Sequence, residues 1–149
     1  MASAGPVMLV VRPIMLLMPE AAMDPESLAH FGFTAAWVEE GILTRPVLGK
    51  LCARWAEGAD SNLEHYRWLA FAQFLRATRT LTPTQFDRLW ALGRSDPDQA
   101  MGRAMLFELI LRRDCPEALL ERTALSQHTA LARKSQQLLK ARFAKTLAN

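Results

Sequence analysis

The most constraining feature of this sequence is how often it signals the start and the end of a helix. Asp24-Pro25, Thr82-Pro83 and Asp96-Pro97 each set a capping side chain directly before a proline. The cap accepts a hydrogen bond from an otherwise orphaned amide. Proline loses nothing at the first helical position, where its missing N–H would have had no partner. Asp114-Cys115-Pro116-Glu117 is a variant with the proline one step later, and Ser61-Asn62-Leu63-Glu64 has the spacing of a capping box. Gly41, Gly58 and Gly93 follow apolar-periodic stretches and suit the left-handed position that closes a helix. These signals predict helices over 25–40 (with Gly32 a candidate break), 45–57, 62–79, 83–94, 97–113, 116–126 and 128–145. Beyond the N-terminal arm, no stretch alternates with the period of two that a half-buried strand requires. The expected fold class is all-α, with seven or eight helices in antiparallel pairs.

A helical chain of 149 residues, half of them hydrophobic, can bury a core without cross-links. Cys52 and Cys115 are too few for a disulfide scaffold and form no Cys-x-x-Cys pair. Both read as small buried residues, although a helix start could lower the thiol pKa of Cys115. His30, His65 and His128 are too scattered for a local metal-ligand motif. The sequence contains no glycine-rich phosphate loop, no Gly-x-Ser-x-Gly and no His-Glu-x-x-His. Glu39-Glu40 and Asp96/Asp98 sit where turns and caps explain them. The expectation is therefore a protein that is not an enzyme and that needs no metal or cofactor.

Residues 1–22 differ from the rest. Val7–Val11 and Ile14–Met18 are two apolar runs separated by Arg12-Pro13. They are too short to cross a membrane, which takes about 20 apolar residues, and no basic region precedes them as in a secretory leader. The expected localisation is cytoplasmic. Pro13 biases the arm toward an extended conformation, laid over the protein's own helices or exchanged with a second copy to form a homodimer. A start assigned upstream of Met23 is the alternative, with residues 23–149 forming a single helical domain.

The helices also repeat. Leu43-Thr44-Arg45-Pro46 and Leu81-Thr82-Pro83 open short helices, each with a tryptophan one turn before a glycine: Trp55 before Gly58, Trp90 before Gly93. A longer apolar helix follows each. Residues 67–76 align with 103–112 at an offset of 36, matching Arg67 with Arg103 and Arg76 with Arg112. Arg133 and Arg142 keep the same separation in a third, shorter copy. The pattern resembles HEAT and armadillo-like repeats over roughly residues 25–145. That resemblance implies a short α-solenoid of stacked helix pairs, with an irregular helical bundle as the alternative. The tryptophans read as core between successive repeats, with a stacking or ligand platform as the functional alternative. The helix at 97–113, apolar almost all round, is the expected centre of the core.

Charge supplies the functional expectations. Net charge runs from −3 over residues 1–60 to +2 over 61–114 and +4 over 115–149. In stacked repeats, Arg76 and Arg112 fall on one exposed face with Gln73, Glu108 and Arg113. Arginine's planar fork suits carboxylates and phosphates. The expected function is an adaptor or scaffold that binds a protein or peptide along that face. The alternative is binding to a nucleic-acid backbone, adding the basic C-terminal residues Arg133, Lys134, Lys140, Arg142 and Lys145.

Overall fold

The computed structural model describes residues 25–58 and 63–148, and every regular element among them is helical. The eight helices are α1 (Pro25–Phe31), α2 (Ala35–Glu39), α3 (Arg45–Ala56), α4 (Leu63–Ala77), α5 (Pro83–Arg94), α6 (Gln99–Ile110), α7 (Glu117–Ala124) and α8 (Thr129–Ala148). The all-α class is thus the observed one. The expected N-terminal arm, the Asp24 cap and the Ser61 capping box lie outside the described residues. Among the described residues, no helix is long and apolar enough to cross a membrane.

The punctuation acts locally as its chemistry requires. Thr82 accepts from Gln85 N while Gln85 Oε1 accepts from Thr82 N, a complete capping box before Pro83. Thr44 accepts from Val47 N ahead of α3. Gly32 and Gly41 take positive φ after α1 and α2. Three expected signals work differently. Gly93 lies inside α5 and is required by packing: a Cβ there would press into the Leu106 side chain, and one on Gly102 would collide with the Gly93 carbonyl. Asp96 does not cap α6. It accepts from Asp98 N in a local turn, and Asp98 caps the helix two residues further on by accepting from Met101 N. Ahead of α7 the N-cap is Pro116, and Asp114 turns its carboxylate elsewhere.

The chain forms two compact units, one ending at Phe74 and one beginning at Leu75. In the first, α1, α2, α3 and most of α4 enclose an aromatic core. The Phe31 ring meets Tyr66 edge-on at 5.6 Å, Trp37 meets Phe33 at 5.0 Å, and His30 lies edge-on to Trp55 at 4.5 Å. Arg67, 5% exposed, donates from Nη1 to the Phe31 carbonyl at 2.9 Å and so satisfies the end of α1. Its guanidinium lies where a Cβ on Gly32 would sit.

In the second unit, α5 packs on α6 and α7 on α8, and α8 also touches α6. Four-residue turns join each pair, so both are antiparallel hairpins. The core is mainly aliphatic: Leu89, Met105, Leu109, Ile110, Leu119, Leu120 and Leu131 are buried, with Phe86 beside them. Met105, Leu106, Leu109 and Ile110 of α6 are buried, but Phe107 is half-buried and Leu111 at its end is 51% exposed, so the helix is not covered all round as expected. Two arginines close helix ends here. Arg112 donates to the carbonyls of Leu75 and Arg79 near the end of α4. Arg142 donates to those of Cys115, Arg112 and Arg113 just after α6, at 2.6, 3.5 and 3.3 Å.

Candidate functional site

Arg112 is the centre of the first candidate site. Its Nε and one Nη engage both oxygens of Asp114 at 2.9 and 3.0 Å, a planar bidentate pair. With the two carbonyl contacts, four of its five N–H donors are occupied. Asp114 also accepts from Leu81 N at 3.0 Å, so one carboxylate ties the segment before α5 to the end of α6. The hydrogen bond from Arg112 holds the Asp114 carboxyl below its ordinary pKa, against an opposing push from burial. Arg112 is therefore a clasp within the unit, with a side chain only 14% exposed.

Around this clasp lies an open hollow of about 340 Å³, bordered by Arg76, Arg79, Arg112 and Arg113. Arg76 and Arg113, expected on one face, do come together, and both are exposed. Arg79 joins them. Its placement one turn after Arg76 was the available signal, and the repeat alignment, which ended at residue 76, passed over it. Glu108 is half-buried on α6 and does not border the hollow, and Gln73 is exposed on the part of α4 that belongs to the first unit. Among the described residues, no carboxylate pairs with Arg76, Arg79 or Arg113, because Asp114 is committed to Arg112 and Leu81.

The alternative set on α8 divides. Arg133, Lys140 and Lys145 are exposed and Lys134 is half-buried. Arg142 is spent on the carbonyls after α6. Both cysteines are buried, and burial pushes each thiol up to about 11. At Cys115 the charge of Arg142 offsets that only in part, so the depression expected from a helix start does not occur. Among the described residues, no three metal-ligating side chains converge.

No family model matches this chain, and neither a curated protein nor a solved structure matches it.

The second candidate site surrounds Trp90, which is half-buried rather than enclosed. The guanidinium carbons of Arg94 and Arg122 lie 4.9 and 4.6 Å from the centre of its ring system. The indole Nε1–H donates to Thr123 Oγ1 at 3.3 Å, and that hydroxyl donates to the Leu119 carbonyl at 2.8 Å. Arg122 also pairs with Asp87 at 2.7 Å. The ring and its cations border a cleft of about 450 Å³ that reaches Leu125 and His128 in the α7–α8 turn.

Proposed function

We propose that this chain is a non-enzymatic interaction module, an adaptor or scaffold that binds an acidic segment of a partner protein at the Arg76–Arg79–Arg113 hollow. The observation that carries this reading is the division of labour among its arginines. Arg112 is consumed in holding helix ends, and the three exposed guanidinium groups around it pair with no carboxylate among the described residues, the bordering Asp114 being committed to Arg112 and Leu81. Fixed backbone with free forks around it is a receptive surface for carboxylates, since each fork can donate two parallel hydrogen bonds. The short-solenoid reading is supported by the reach of the structural arginines. Arg67 bonds 36 residues back, Arg112 37 and 33 back, and Arg142 27 to 30 back. A cytoplasmic setting is proposed with it.

The exposed cations of α8 favour a second reading, binding to a nucleic-acid backbone. Fluorescence polarisation separates the two, using a labelled Glu/Asp-rich peptide and a labelled duplex DNA at low and moderate salt. The expected result is peptide binding abolished by the triple change Arg76→Glu, Arg79→Glu, Arg113→Glu. DNA binding that survives this change and weakens with a log–log salt slope near −0.9 per phosphate contact would reverse the ranking.

A further inference from the structure

The Trp90 cleft has a chemistry of its own. Trp90 is held by the relay through Thr123 to the Leu119 carbonyl, so the indole is a fixed platform. Stacking on a ring engages the flat face of a guanidinium and leaves its N–H edge available for an oxyanion. Arg94 and Arg122 both lie over the Trp90 ring, within the distance at which such stacking operates. Their electrostatics differ, because Arg122 is ion-paired with Asp87, whereas Arg94 is in no ion pair among the described residues, the nearby Asp96 accepting from Asp98 N. The cleft thus offers one fork outside any ion pair, which matches a monoanion better than a doubly charged phosphate. Beside it stands apolar surface: Leu125 is 87% exposed, and the half-buried indole forms part of the wall. A cleft of about 450 Å³ is of the size that small-ligand sites occupy. A second groove shares Arg94 and His128 with it and is bordered also by Arg103 and the buried Asp96.

We propose that the Trp90 cleft binds an apolar group carrying a terminal carboxylate, with Arg94 taking the carboxylate and Leu125 and Trp90 taking the apolar part. Two sources supply this chemistry: the C-terminus of a peptide and a free aromatic or aliphatic acid. The site is separate from the Arg76–Arg79–Arg113 hollow and stands whether or not that hollow binds a partner.

The test is a ¹H–¹⁵N titration that follows the Trp90 indole N–H, assigned by its loss in Trp90→Phe. The probes are N-acetylphenylalanine, a five-residue peptide ending in free phenylalanine, the C-terminal amide of each, and inorganic phosphate. Both free acids are expected to shift the Trp90 resonance, and both amides to leave it in place. Arg94→Gln, a change at an exposed position, should weaken binding about ten- to a hundredfold, as expected for the loss of a charge-assisted fork. Unchanged indole resonances of the other tryptophans and an unchanged urea midpoint would verify the fold of the unliganded variant. Arg76→Gln should leave these titrations unaltered, which keeps this result distinct from that of the hollow. Tighter binding of the peptide than of the free acid assigns the site to peptide C-termini, and equal binding assigns it to free acids. Amides that shift Trp90 as strongly as acids would overturn the proposal. So would phosphate displacing the acids at equal concentration, or no shift with any probe.

Discussion

The two units solve one problem with different materials. Both must end helices inside a packed chain without leaving carbonyls unsatisfied. The first does so within an aromatic core, where the buried Arg67 reaches the Phe31 carbonyl. The second has an aliphatic core and keeps its arginines at the margin, where Arg112 and Arg142 each reach two or three carbonyls. Interior placement makes the arginine part of the core. Marginal placement leaves neighbouring arginines free to face solvent, and the hollow is built from those. The two solutions therefore differ in what they leave over for function.

The largest effect comes from deleting core volume. Phe31→Ala removes a fully buried ring that touches Tyr66, Trp55 and His30, and should cost about 3–5 kcal/mol. Leu109→Ala in the aliphatic core should cost about 2–5 kcal/mol. Urea unfolding checks both. A cost for Phe31→Ala below that for Leu109→Ala would remove the contrast between the cores.

A smaller effect separates the two placements of arginine. Arg67→Leu leaves the Phe31 carbonyl buried without its donor and should cost about 1–3 kcal/mol. Arg112→Leu exposes its carbonyls to a hollow that water enters, so its cost should lie at the lower end of that range. The Asp114 carboxyl should then titrate closer to its ordinary value, measurable by NMR.

The smallest effect is a pH dependence confined to the first unit. Burial lowers the pKa of His30 below the model-peptide value of 6.5, and its Nε2 has no hydrogen-bond partner among the described residues. The unfolded chain therefore binds a proton at higher pH than the folded one. Stability should be full above about pH 6.5 and fall as the pH drops toward the folded-state value. His30→Phe should flatten that slope in urea midpoints taken between pH 7.5 and 5. An unchanged slope would place its origin elsewhere.

Helix positions were legible in this sequence because caps, prolines and terminal glycines act through the nearest few residues. Thr44, Thr82, Gly32 and Gly41 needed no tertiary information. Gly93 misled because a close helix approach and a left-handed stop select the same residue, and only the facing Leu106 and Gly102 distinguish them. Asp96 misled because an Asx turn and a cap draw on the same side chain two positions apart. The site was half legible. Periodicity placed Arg76, Arg112 and Arg113 together, but not the Asp114 clasp that turns Arg112 inward, since that depends on where the Leu75 and Arg79 carbonyls point. Trp90 was visible as a tryptophan near a helix end. Of its cations, Arg94 stands one turn on along the same helix and was within reach of spacing, whereas Arg122 arrives from a helix more than 30 residues away.

The backward reach of the three structural arginines has a consequence for synthesis. During translation a helix end emerges well before the side chain that will seal it. At about 5–20 residues per second, the 36 residues from Phe31 to Arg67 take roughly 2–7 s to make. For that interval the end of α1 can be satisfied only by water or a transient partner. Each of these helix ends becomes fully native only once the next stretch of chain has been added, so the molecule matures in the order in which it is made, some 27 to 37 residues behind the ribosome.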